Sequence, residues 1–340
     1  MERKLASIQL IDDIQPIDGA DMIELASVLG WKVVVQKGLY KAGDTAIYCE
    51  VDSFLPIKPE FEFLRKSSLK WMGDQLGFRL KTIKLKGQIS QGLLLPISML
   101  PADITLAFDE WYTIGDDVTG LLEIVKYEPT IPANLTGRIR GNLPNFIPKT
   151  NEDRIQNLKK YYEEMKGSLY YDTEKLEGSS ATFYISASFF GVASRNWDLE
   201  ESEGNTFWKV ANELKLQDRL GSLSSSIALQ GEMIGEGIQG NIYKLKGHTV
   251  KFYNAWDIHN QRYLDITEFK TVITQLGLDT VPIISTEYRL PESIDELIAS
   301  ADGKSQLNPQ TDREGLVIRS HDRKTSFKVI SNFFLLKDKN

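Results

Sequence analysis

Apolar and polar residues alternate in short runs along roughly the first 125 residues. Lys32-Val33-Val34-Val35-Gln36 and Thr45-Ala46-Ile47-Tyr48-Cys49-Glu50-Val51 are two such runs, and two more lie at 78–86 and 91–97. Gly- and Pro-bearing turns break them. A period of two sends successive side chains to opposite faces, so each run predicts a half-buried strand. Several short strands at this spacing predict a small β-barrel or sandwich.

The pattern changes near Glu128. Periodicity is lost as far as Lys149, and Pro129, Pro132, Pro144 and Pro148 fall there with two glycines. Such a stretch reads as a linker, leaving domains at 1–127 and 150–340. Ile155, Leu158, Tyr162 and Met165 recur at helical spacing up to Gly167, predicting a helix from about Thr150. Tyr263, Ile266, Phe269, Ile273 and Leu276 predict a second helix, closed by Gly277. Runs at 181–186, 227–234, 248–253, 315–319 and 325–330 predict strands. This irregular mixture is α+β rather than a βαβ repeat.

Composition narrows the function classes. An apolar fraction of 41% and a charged fraction of 26% suit globular domains that each bury a core. A net charge of −7 argues against a wholly basic nucleic-acid binder, but not against a local basic patch. Cys49 is the only cysteine, which excludes an internal disulfide and a cysteine-based zinc site. His248, His259 and His321 lack metal-ligand spacing. The N-terminus has no signal-peptide pattern, and no apolar run reaches membrane-spanning length. The expectation is a cytoplasmic, reducing location and no membrane partner.

One patch is strongly basic. Arg65, Lys66, Lys70, Arg79, Lys81, Lys84 and Lys86 face a single acid, Asp74, with Trp71 and Phe78 among them. Cations interleaved with aromatics suit a nucleic-acid backbone and its bases. Between Phe78 and Lys86 the cations change face, which predicts a bulge near Thr82-Ile83.

The candidate chemistry lies downstream. In Glu174-Lys175-Leu176-Glu177-Gly178 a lysine precedes a carboxylate and a glycine. A lysine that attacks a phosphate must be unprotonated, and neighbouring cations lower its pKa. Glu232 sits near a strand end and Glu314 just before a strand; paired carboxylates there suit a hard divalent cation. Lys251-Phe252-Tyr253 ends a strand with aromatics suited either to a base or to the core. Lys328 stands between apolar neighbours on a short strand, placed for a phosphate. Gly235-Glu236-Gly237-Ile238-Gln239-Gly240 matches G-x-G-x-x-G, but no helix is predicted after it, so it reads as a glycine-rich connection.

In chain order these pieces resemble the nucleotidyltransferase motifs of covalent ligases and capping enzymes. Lys175-Leu176-Glu177-Gly178, Ser194-Arg195-Asn196, Gly231-Glu232, Lys251 to Ile258, Glu314 to Val317 and Phe327-Lys328 stand in the six motif places. Lys149 to Asn157 is similar to the pre-motif segment of ATP-dependent RNA ligases, and Phe78 to Leu93 resembles their N-terminal OB domain. Two positions depart from the family pattern: Glu177 stands where many members have Asp, and Ser326 where many have a second lysine. A separate C-terminal OB domain, expected of DNA ligases and capping enzymes, is not anticipated.

The resemblance implies an N-terminal OB-type barrel and an adenylyltransferase domain of antiparallel sheets flanked by helices. It implies an ATP-dependent RNA ligase, acting as a monomer, that joins 3′-OH and 5′-phosphate ends through AMP on Lys175. Mg²⁺ or Mn²⁺ would be held by Glu177, Glu232 and Glu314, directly or through water. Lys328 would contact the α-phosphate, Arg195 the ribose, Phe252 the adenine and Arg154 the leaving pyrophosphate. Glu174 and Lys251 complete the expected nucleotide contacts. Arg79, Lys81, Lys84 and Lys86 would bind RNA. A GTP-using capping-type enzyme, a DNA ligase and a non-catalytic OB-type binder are the rival readings.

Overall fold

The computed structural model describes residues 3–101, 112–128, 137–223 and 225–337. The chain forms two compact units. One comprises Met1–Thr130 with Ile155–Tyr162 and Leu335–Asn340; the other comprises Ile131–Arg154 and Glu163–Phe334.

The first unit is built from short antiparallel strands. Ala6–Leu10, Thr45–Cys49 and Leu93–Leu95 form one sheet, and Asp13–Pro16, Ile23–Val28 and Trp31–Gln36 form a meander. A further sheet runs through Val125–Lys126, Ser53–Pro56, Gln75–Arg79 and Leu69–Met72. Apolar clusters fill the unit, one around Ile8, Leu55 and Phe78, another around Trp31, Val33 and Tyr48. The expected single strand over 78–86 is two. Gln75–Arg79 and Thr82–Leu85 belong to different sheets, so a change of sheet rather than a bulge moves the cations to another face. Lys86 and Gly87, both at positive φ, turn Thr82–Leu85 back into Gln88–Gln91.

The helix expected from Thr150 is instead a 3₁₀ run, Ile155–Tyr161, followed by one α-turn, Tyr162–Met165. Tertiary hydrogen bonds override its helical spacing. Gly30 N–H donates to the Gln156 carbonyl at 2.9 Å, Trp31 Nε1 to Asn157 Oδ1 at 2.7 Å, and Asn157 Nδ2 to Glu50 at 2.6 Å. A Cβ on Gly30 would lie 2.7 Å from Gln156 Cα, so only glycine lets the segment approach.

Among the described residues, the second unit contains two sheets. The larger has seven strands in the order Arg138–Asn142, Trp197–Glu200, Phe189–Ser194, Ser179–Ser186, Ile227–Gly235, His248–Asp257 and Arg262–Tyr263. The smaller has five: Asp153–Arg154, Ser326–Ile330, Gly315–Ser320, Tyr170–Lys175 and Ile283–Tyr288. Every pairing within them is antiparallel except that of Asp153–Arg154 with Ser326–Ile330. Helices Thr206–Glu213, Leu216–Gly221 and Ile266–Leu276 pack their apolar faces against Phe183, Leu229 and Phe252. The last begins with a capping box of Asp265 and Glu268 and ends at Gly277 in the left-handed region.

Of the expected linker, 129–136 lies outside the described residues. Arg138–Asn142 is an edge strand rather than linker, and Phe146 and Pro148 lend their carbonyls to Trp256 Nε1 and Gln230 Nε2.

Candidate active site

Lys175 ends its strand, and Gly315 lies directly across from it. Its Nζ lies 2.8 Å from Glu314 Oε2. Burial pulls the ammonium pKa down, but Glu314 and Glu232 together push it above the ordinary lysine value. Arg154, itself buried, opposes them. Glu232 comes from the other sheet. Burial raises its carboxyl to about 7 and Glu314 adds to the rise, while Lys175 and Arg195 pull the other way.

Strand register lines up further groups. Thr173 pairs with Val317, Val317 with Lys328, and Lys328 with Arg154. Directly paired residues share a sheet face, so Lys328 and Arg154 stand on the face that carries Lys175. On the larger sheet Ser180, Glu232 and Lys251 are successive partners on one face.

The turn after Lys175 depends on Gly178. A Cβ there would lie 2.3 Å from the Met233 carbonyl oxygen and 2.7 Å from Glu232 Cγ. The bare backbone therefore brings the nucleophile turn against the Glu232 strand.

A bulge decides what the aromatics face. Gln230 pairs with Asn254 and Gly231 with Phe252, leaving Tyr253 as the extra residue. Phe252 turns into the helix-covered core against Phe183. Tyr253 and Asn254 are delivered to the opposite face. The Tyr253 hydroxyl lies 3.2 Å from that of Thr150 and 3.4 Å from that of Ser180.

An RNA ligase family model matches residues 169–330, and an OB-fold domain model matches residues 5–97. An apo variant of Naegleria gruberi RNA ligase superposes with a TM-score of 0.92 at 41% identity, covering 98% of this chain and 97% of that one. A second variant, with ATP and Mn, gives 0.93 at 41%, covering 99% and 100%. The same organism's ligase with PPi gives 0.92 at 41%, covering 98% of each. The chain belongs to the RNA ligase family. No curated protein matches it.

Lys175, Glu232, Glu314, Lys328 and Arg154 thus gather on facing surfaces of this ligase's second unit. Arg195 is exposed but close enough to act on Glu232, and its Nη2 donates to Asn151 at 3.1 Å. Glu177 borders the site through its backbone, and its carboxylate lies beside Gly240. Three expectations, on Phe252, Glu174 and Arg79, need correction. Phe252, fully buried in the core, presents no face to a base; Tyr253 is the aromatic on the Ser180 face. Lys251, not displaced from the site, stands across from Glu232 with its Nζ 2.7 Å from the exposed Asp279. Glu174 alternates to the reverse face of the strand, where the Gln306 N–H donates to it at 2.8 Å. In the first unit Arg79 is drawn inward, 3.4 Å from Asp52 and 4.4 Å over the Tyr127 ring. Lys81 is half-buried, and Lys84 and Lys86 are exposed.

A polar network at the site escaped the sequence reading. Arg319 Nη2 donates to Glu152 and Nη1 to Thr173, each at 3.2 Å, and its guanidinium lies 5.6 Å from the Tyr253 ring centre. Ser326 also donates to Glu152. Arg323 donates to Tyr171 and, at 2.7 Å, to Asn254 Oδ1. Ser326 thus fills its motif position by anchoring Glu152. The local signal was present but weak: Glu152 adjoins Arg154, and Arg319 ends the Glu314 strand.

Proposed function

We propose that this ligase seals RNA 3′-OH and 5′-phosphate ends at the expense of ATP, through AMP carried on Lys175. The observation that carries the reading is the Lys175 ammonium held against Glu314 beside Glu232, with Lys328 and Arg154 aligned on the same sheet face. The relatives from Naegleria gruberi hold ATP with Mn, AMP with Mn, or PPi.

Lys175 Nζ gives up its proton and attacks the α-phosphorus; a P–N bond forms and pyrophosphate leaves. The RNA 5′-phosphate then takes the AMP, freeing Nζ. Finally the 3′-OH attacks that activated phosphate, forming the phosphodiester and releasing AMP. Lys328 and Arg154 supply positive charge where the phosphates lie, and Tyr253 and Val317 offer apolar surface to the base. Arg195 meets the ribose.

Hard carboxylate oxygens at Glu232 and Glu314 would hold a divalent cation, Mg²⁺ or Mn²⁺, and Glu177 would contribute through water. No group of three His, Cys, Asp or Glu is ready-made among the described residues. A cation there would take its remaining ligands from water and substrate phosphates. When bound, it neutralises charge at the α-phosphate and favours the neutral amine.

Lys175→Ala incubated with α-phosphate-labelled ATP should acquire no covalent AMP; label persisting on another lysine would sink the assignment. Tyr253→Leu should raise KM for ATP with little change in melting temperature. Phe252→Ala should instead cost about 3–5 kcal/mol of stability, as core cavities do. Equal KM effects from both would contradict the placement of the two rings.

Residues 1–127 serve RNA in this reading. Lys84→Ala with Lys86→Ala should lower the slope of log affinity against log salt by about 1.4, from two lost single-strand phosphate contacts. An unchanged slope in filter binding would move the RNA elsewhere. The protein acts as a monomer in a reducing, cytoplasmic setting, which suits its buried free Cys49. No helix among the described residues is long and apolar enough to cross a membrane.

A further inference from the structure

The G-x-G-x-x-G match has no dinucleotide role here: it lies in the connection between Ile227–Gly235 and His248–Asp257, with no helix after it. This connection folds over the nucleophile turn. The Glu177 N–H donates to the Tyr243 hydroxyl at 2.6 Å. Gln239 Nε2 donates to the Gly178 carbonyl at 3.3 Å. Gly240 borders the Glu177 carboxylate; a Cβ there would lie 3.7 Å from Oε2. Tyr243 is itself fixed, its ring buried with Leu176, Ile234 and Val281.

The other side of Lys175 is tied to the same connection. Glu174 Oε2 accepts from the Gln306 N–H at 2.8 Å. Two residues on, Asn308 Nδ2 donates to the Ile242 carbonyl at 2.9 Å. A circuit of hydrogen bonds thus runs from Glu174 through 306–308 and 242–243 to Glu177, enclosing the nucleophile between its pinned neighbours.

We infer that Tyr243 is a positioning residue for lysine adenylylation, acting through the Glu177 backbone to hold the Lys175 turn against Glu232. The inference rests on the lysyl-AMP reading above. Attack on phosphorus needs Nζ in line with the leaving pyrophosphate, and a misplacement on the order of 1 Å is costly. The Gly178 half of the turn is tied by Gln239 and the Leu176 side chain packs in the Tyr243 cluster, while the Glu177 peptide N–H is fixed by the Tyr243 hydroxyl. The Tyr243 hydroxyl gives the Glu177 N–H a fixed acceptor where water would leave the peptide free to rotate. Buried among carboxylates, this hydroxyl stays protonated, its pKa raised first by burial and further by Glu314, Glu174 and Glu177.

Tyr243→Phe keeps the ring in its apolar cluster and deletes the acceptor. Ile242→Val trims a side chain packed on that cluster and leaves the hydroxyl in place. Both should be measured in single-turnover adenylylation of the full chain over a range of ATP concentrations, with melting temperatures alongside. The rate constant at saturating ATP should fall about tenfold in Tyr243→Phe, with KM for ATP unchanged and Ile242→Val near wild type. A first-order rate constant reports only on folded molecules, so a merely structural role would lower the labelled fraction and the melting temperature but not the constant. Rate constants equal in wild type and Tyr243→Phe would overturn the inference, as would an equal fall in Ile242→Val. Absence of lysine labelling in the wild type would instead overturn the lysyl-AMP reading itself.

Discussion

Lys175→Arg should fold and yet take up no label from α-phosphate-labelled ATP. A guanidinium can keep the ion pair that Lys175 makes with Glu314 at 2.8 Å. It therefore spares the site two carboxylates left facing each other without a cation. However, a guanidinium does not deprotonate in proteins, so it offers no nitrogen lone pair for attack on phosphorus. Loss of labelling with an unchanged melting temperature separates the nucleophile role from the electrostatic one. Lys175→Ala cannot make that separation, because it removes both. Sealing of RNA that already carries AMP on its 5′-phosphate should survive better than sealing from ATP, since that step does not consume the amine. Labelled Lys175→Arg protein would place the nucleophile elsewhere.

Gly178→Ala should produce the second-largest loss. The added carbon would meet the Met233 carbonyl oxygen at 2.3 Å and Glu232 Cγ at 2.7 Å. Backbone cannot yield as the tip of a flexible side chain can, so the turn must move off the Glu232 strand. Overpacking of this kind costs about 1–3 kcal/mol of stability. The rate should suffer more. Shifting Lys175 relative to Glu232 by about 1 Å should slow adenylylation on the order of a hundredfold. Rapid-quench labelling and thermal melts on one preparation would test both parts. A rate within a few fold of wild type would mean that the turn accommodates a Cβ and that its close approach is not needed for the reaction.

Chain order of the motif residues and strand periodicity carried much of the architecture. The runs at 227–234, 315–319 and 325–330 are strands, and Ile266–Leu276 is a helix whose cap residues, Asp265, Glu268 and Gly277, can be read directly. Those signals are local: a strand repeats every two residues and a helix cap spans about four. The order Lys175, Arg195, Glu232, Glu314, Lys328 was equally legible, and the fold brings these residues within one unit.

What the sequence by itself determined was therefore the identity of the family, the α+β class and the roster of charged groups. Tertiary structure alone decided which way several of them point. A one-residue bulge beside Gln230 exchanged Phe252 for Tyr253 on the site face, and no local pattern marks where a bulge falls. Lys251 went to Asp279 and Arg79 to Asp52 and Tyr127, through partners distant in sequence. The Glu152–Arg319 pair and the Tyr243 contact to Glu177 span 167 and 66 positions. A side chain's partner is set by which strands are neighbours, and that follows from packing whole sheets rather than from any window of residues.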